Sequence, residues 1–331
     1  MAFKSYLRFL LVVGSFFFLN HQTALGASYP SGPIKIIVGY NAGGPTDTYA
    51  RMLAAHFAES FGQPVIVENI PGAATMKAGV AVSRAKPDGL TLFFTTNATY
   101  INLLLRKEIP YKKSSFDPIA LGYSGAAYIV VPNDSKFNSL ADLIKFAREN
   151  PKKLNYATTA VGGYVHLVGE YFNDTFGTEI IPVGYKGGAK ALEGVIKGEV
   201  DFSFIGASAA VPQIKGGRVK ALAVTEPNRV SDFPNIPTVD ESVEVLGISN
   251  LGWDTGAWYG LLAPKGLSPE VTAILHKELN AFLEKDSIKK RLKSEGNTSA
   301  AGMSTKDYKT FIDADMKIWA EVIKNRNIKL N

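Results

Sequence analysis

From residue 34 onward, short β-branched runs alternate with longer stretches whose apolar residues recur at helical spacing. IKIIVGY (34–40) reads as a strand, and TDTYARMLAAHFAESF (46–61) carries Ala50, Leu53, Ala54, Phe57 and Phe61 on one helical face. PVIVENI (64–70) returns to strand, AGVAVSRAK (78–86) to helix, and LTLFFTT (90–96) to strand. A strand that must reach a parallel neighbour needs a crossover, and a helix laid on the sheet supplies it. The expected class is therefore α/β, with mostly parallel sheets covered by helices.

The rhythm repeats through AYIVVP (127–132), a helix at 139–151 opened by Ser139, LNYATT (154–159), EIIPVGY (179–185), DFSFIG (201–206) and VKALAVT (219–225). The tail differs: one apolar strand at 257–264 precedes helical runs at 268–294 and 304–326. No short-period repeat or low-complexity linker separates the blocks. The expected organisation is one lobe over 28–126, a second over 127–252, and a return to the first over 253–331.

The first residues read differently. Lys4 and Arg8 precede an uncharged apolar run of eleven residues (9–19), then small residues at Ala24, Gly26 and Ala27. That is the pattern of a secretory signal peptide over 1–27, too short to span a bilayer as a helix of roughly 20 residues would. With no cysteine in the chain, disulfides, thiolate metal sites and an N-terminal lipid anchor are all excluded. The expected location is the periplasm, free of a lipid anchor. Net charge is +6, or +4 without Lys4 and Arg8. The densest basic stretch, KDSIKKRLK (285–293), reads as a solvated helix face, and no nucleic-acid motif accompanies it.

Catalytic signatures are missing. HExxH, GxSxG, a Walker A loop and GxGxxG are all absent, so no catalytic residue, metal or cofactor is expected. What recurs instead is a Gly- or hydroxyl-rich turn between a strand and a helix. One holds Asn41, Gly43, Gly44, Thr46 and Asp47, with Thr46 or Asp47 placed to cap the helix; a second holds Thr96 and Asn97. A third runs Thr158, Thr159, Gly162 and Gly163 into a helix bearing His166; a fourth is Tyr185, Lys186 and Gly187; a fifth ends at Ser208. Helix N-termini carry unpaired N–H groups and a partial positive charge, and in open α/β sheets ligands lie beyond the carboxyl ends of the strands. Several such ends around one cleft make an anion site without an arginine. Trp253 and Trp258 fall where the chain recrosses, as core or hinge packing or as a stacking wall.

In order along the chain stand YPSGPIKIIVGYNAGGPTD, GQPVIVENIPGA, KPDGLTL, LNYATTAVGGYVHLVGE, VGYKGGAKALEGVIKGEVDFSF, PQIKGGRVKALAVT, FPNIPTVDE and AWYGLLAPKGLSPE. This series resembles the substrate-binding receptors of tripartite tricarboxylate transporters, the Bug-type receptors. The resemblance implies a class II periplasmic-binding-protein fold, a carboxylate held between two lobes, no enzymatic activity, and two integral membrane partner subunits, one large and one small. It implies ligand contacts from Gly43, Gly44, Thr46, Asp47, Thr96 and Asn97 on one lobe. From the other it implies Thr158, Thr159, Gly162, Gly163, His166, Tyr185, Lys186 and Gly187. A monomer is the expected state, and a ligand sensor for a membrane signalling system is the alternative role. The sequence departs from the family pattern at Asn41–Ala42, at Ala74–Thr75–Met76 in place of Gly-Gly-Asn, at Gly163 in place of Ser, and at Ile205 in place of Asp. These changes make the cleft less polar, so an aromatic carboxylate fits as well as citrate or an acidic amino acid.

Overall fold

The computed structural model describes residues 29–158, 163–185, 188–253 and 255–328. Its first part builds β1 (Ile34–Val38), α1 (Pro45–Phe61), β2 (Val65–Asn69), α2 (Met76–Ser83), β3 (Thr91–Thr96), α3 (Ala98–Leu105) and β4 (Phe116–Gly125). The middle builds β5 (Ala127–Pro132), α4 (Leu140–Glu149), β6 (Asn155–Thr158), α5 (Tyr164–Phe176), β7 (Ile181–Gly184) and α6 (Gly188–Ile196). It continues with β8 (Phe202–Gly206), α7 (Ala207–Lys215), β9 (Val219–Val224) and α8 (Val239–Val243). The tail adds β10 (Ala257–Pro264), α9 (Pro269–Glu284), α10 (Asp286–Ser294), β11 (Asn297–Ser299) and α11 (Thr305–Asn325).

These strands form two sheets, ordered β11-β4-β10-β3-β1-β2 and β7-β6-β8-β5-β9. Both are mixed. β1 pairs in parallel with β2 and β3, and β6 with β7 and β8. The strands nearest the crossovers, β5 and β10, run antiparallel to their neighbours. A chain that leaves one sheet, builds another and comes back arrives at each from the opposite end, and antiparallel pairing follows. Helices cover both faces of each sheet, as buried sheets require. α1, α9 and α10 close one face of the first sheet around Phe57, Leu275 and Phe282; α2, α3 and α11 close the other around Phe93, Tyr100 and Tyr308.

Local chemistry sets the element ends. Pro45 opens α1 at its first turn and Gly62 closes it at φ 63°. Ser139 and Asp142 form a capping box at α4. The run at 268–294 is not one helix: Lys285, at φ −60° and ψ 131°, breaks it into α9 and α10. Among the described residues no helix is long and apolar enough to cross a membrane.

α11 belongs to both lobes. Tyr308 and Ile312 sit in the first lobe's core beside Trp258, and Trp319 sits in the second lobe's core with Trp253. Between them, Asp315 accepts hydrogen bonds from the indole Nε1 of Trp258 (3.1 Å) and of Trp319 (2.9 Å). Trp253 stacks on Phe176 and Tyr171. Both crossover tryptophans are therefore core residues, and neither lines the cleft described next.

Candidate functional site

A cavity of about 450 Å³ opens where the carboxyl ends of β1 and β3 and the start of β10 face the N-terminus of α5. Gly44 and Thr46 reach it from the turn into α1, Thr96 and Asn97 from the turn into α3, and Gly163 from the turn into α5. These five belong to the set expected from sequence. They come together because each stands at a strand-to-helix turn on the same side of the two sheets.

Three helix N-termini meet there, with Gly44, Asn97 and Gly163 at the N-cap positions, and none has a side-chain cap. Elsewhere the same chain caps its helices with Ser139, Thr238, Ser268 and Ser304. At the cavity no N-cap side chain takes up the first-turn N–H groups, and the one side-chain acceptor there among the described residues is the Thr96 hydroxyl, 3.3 Å from the Ala98 N–H. No charged side chain lines the cavity among the described residues.

Asp47 works beneath this surface. Its carboxylate accepts from the Gly43 N–H (2.9 Å), from Arg51 Nε (2.9 Å) and from Asn69 Nδ2 (2.9 Å). Burial raises its pKa, but those donors outweigh burial and hold the pKa down at about 2. Gly43 sits at φ 86°, a conformation open to glycine, so the Asp47 anchor and the glycine together fix the turn. Neither Thr46 nor Asp47 caps α1, because Gly44 takes the N-cap and Pro45 the first helical position. Asn41 is exposed beside this turn.

Of the remaining expected residues, none that is described lines the cavity. Thr158 is buried at the end of β6, and its carbonyl accepts from the Tyr185 N–H (2.7 Å). Tyr185 donates its hydroxyl to Glu199 (3.2 Å). His166 is buried one turn into α5, with Nε2 4.0 Å from Glu170; burial lowers its pKa more than Glu170 raises it, leaving a neutral imidazole at pH 7. Ser208 is exposed in the first turn of α7. Thr159, Gly162, Lys186 and Gly187 lie outside the described residues.

Sequence reasoning missed Tyr40, Asn102, Tyr164, Ala257 and Tyr259, and it placed Ala74 near the cleft without counting it as a contact; all six line the cavity. Tyr40 shares a 2.7 Å hydrogen bond with Thr96, and Tyr259 stacks on Tyr123 at 4.3 Å between ring centres. Burial pushes both Tyr40 and Tyr259 up, so they are neutral hydroxyls and ring walls at physiological pH. A signal existed for one pair: Ala257 and Tyr259 alternate along β10 and so share a face. A larger hollow of about 1060 Å³ opens at the opposite end of the first sheet, beside Phe116 and Lys265, and none of the expected residues lines it.

The model of the family described as "Tripartite tricarboxylate transporter family receptor" matches residues 49–328. The chain belongs to that receptor family. Its relatives include BugT of Bordetella pertussis, 30% identical over 307 residues and 92% of each chain. Among solved structures, an R. palustris protein with adipate is 30% identical with a TM-score of 0.78, covering 91% of this chain and 99% of that one. MatC from Rhodopseudomonas palustris with bound malate is 25% identical with a TM-score of 0.75, covering 89% and 100%. Receptors of this family are solute-binding proteins and not enzymes, and this chain is one of them.

Proposed function

We propose that the cleft captures a small carboxylate, aromatic or dicarboxylic, and that the receptor hands it to the two integral membrane subunits of a tripartite transporter. The observation that carries this reading is the convergence of three uncapped helix N-termini on a cavity with no lining charge among the described residues. Such ends stabilise an anion by roughly 0.3–1 kcal/mol each, and by more when water is excluded. The residues in contact are Gly44, Thr46, Asn97 and Gly163, with Gly43 and Asp47 shaping the first turn. The relatives solved with adipate and malate support the ligand class. The receptor works in the periplasm as a monomer, exported by its first 27 residues and not lipid-anchored. Contacts from both lobes favour a closed form by their differential affinity.

A thermal-shift screen of residues 28–331 tests the reading. Mono-, di- and tricarboxylates, aromatic acids, sugars and phosphate are compared, and a ligand at 100 times its Kd adds about 2.7 kcal/mol of stability. A shift with one carboxylate class is expected. A shift confined to sugars or phosphate refutes it.

A further inference from the structure

One wall of the cleft is built on a backbone conformation that its residues disfavour. Ala73, Ala74 and Thr75 take φ values of 47°, 49° and 74° in succession, in the left-handed region that side chains bearing a β-carbon rarely enter. Such outliers persist only where the surroundings over-determine them. Here they do. Thr75 is fully buried, its hydroxyl 3.0 Å from that of Thr99, which in turn lies 2.7 Å from that of Thr95. Its side chain lies over Gly39, where a β-carbon would stand 2.7 Å from that of Thr75. Asn102, also buried, donates its amide to the carbonyls of Ala73 (3.4 Å) and Ala74 (2.5 Å).

Thr75 is rewarded for its conformation by burial and hydrogen bonds. The side chain of Ala74 is not: its carbonyl accepts from Asn102, but its methyl group is exposed and lines the cavity. A glycine would hold the same backbone without strain. The methyl group is exposed at the cavity, where whatever fills the cleft can meet it. The same cavity is lined by Ala98, Ile101 and Ala257, by the rings of Tyr40 and Tyr259, and by Asn102, whose amide is already engaged by the Ala73 and Ala74 carbonyls.

We propose that the strained segment Ala73–Thr75 is a specificity wall, which sets the Ala74 methyl against a bare hydrocarbon face of the bound carboxylate and so disfavours ligands hydroxylated on that face. A hydroxyl buried there without a partner loses its hydration. The inference rests on the carboxylate reading above and names the ligand class within it: a carboxylate on an aromatic ring or plain methylene chain.

Calorimetry with two matched pairs, phenylacetate against mandelate and succinate against malate, separates the two claims. The native receptor is expected to bind the hydroxyl-free member of at least one pair more tightly. In Ala74→Gly that member weakens about fourfold, the value of one buried methylene, while its hydroxylated partner is unchanged and the ligand-free melting temperature does not fall. A merely structural role for Ala74 would move both members alike or lower the melting temperature, and either result overturns the proposal. So does native binding that is as tight for the hydroxylated members. Native binding of no member of either pair overturns the specificity wall, while the carboxylate reading itself falls only if the thermal-shift screen finds no carboxylate that binds.

Discussion

Asn97 offers the sharpest perturbation in the cleft. It is 1% exposed, and neither its Nδ2 nor its Oδ1 has a hydrogen-bond partner. An unpaired buried polar group costs about 1–3 kcal/mol, so the ligand-free receptor carries a defect of that order at the mouth of α3. Asn97→Leu keeps nearly the same branched shape and removes both polar atoms. It forfeits no helix cap, because the Asn97 side chain caps nothing. The ligand-free protein should gain about 2 kcal/mol, or about 4–8 °C in Tm at the slope of a domain of this size. A ligand that draws this buried amide into the cleft should lose in the same change. A hydrogen bond from the amide to a carboxylate is worth about 1.5–3 kcal/mol, hence roughly 10- to 150-fold in Kd. At a ligand concentration of 100 native Kd the native receptor is stabilised by about 2.7 kcal/mol, whereas a variant weakened 100-fold is stabilised by about 0.4 kcal/mol. Melting curves with and without ligand read both numbers at once. A fall in the ligand-free Tm, or a ligand shift as large as the native one, refutes the reasoning.

The other expectations are simpler. Asp47 has a folded pKa of about 2 against an ordinary 3.8, so its contribution is complete above about pH 4 and is lost as pH falls toward 2; it amounts to about 2 kcal/mol. Asp47→Asn should flatten that stretch of the stability curve, measured by denaturant titration from pH 5 to pH 2, and an unchanged slope would count against the anchor. Asp315→Ala leaves the indole N–H groups of Trp258 and Trp319 without their acceptor, at about 2–4 kcal/mol for the pair. Denaturant melts followed by tryptophan fluorescence should show that loss, and a change below about 1 kcal/mol would mean the two bonds matter little.

The class of fold was legible because parallel βαβ units announce themselves twice, in strands of β-branched residues and in helices of period 3.6. β1, α1, β3 and β5 all fall within a few residues of their expected places. β4 went unread for a physical reason. Pro118, Gly122 and Gly125 interrupt its pattern, and its pairing with β10 shifts register twice. The break at Lys285 was invisible because the apolar spacing runs through it. The turns into α1, α3 and α5 were readable as glycine and hydroxyl clusters, and their shared direction follows from sheet topology. Tyr40, Ala74 and Tyr259 were not, since nothing in a local pattern says which ring or methyl group will face a cleft formed by strands far apart in sequence. The family resemblance supplied that neighbourhood and the loss of glycine at Ala74, though not the left-handed backbone that the alanine retains.

α11 has a mechanical consequence. A rod wedged at Tyr308 and Ile312 into one body and at Trp319 into another transmits load between them. Hinge strands alone would leave the two bodies free to swing, twist and slide. A stiff strut fixed at both ends removes sliding and most swings, and it leaves rotation about a line close to its own length. Asp315, pinned between two indoles at the midpoint, then sits where that rotation displaces atoms least, which is where a buried bond can survive a moving joint.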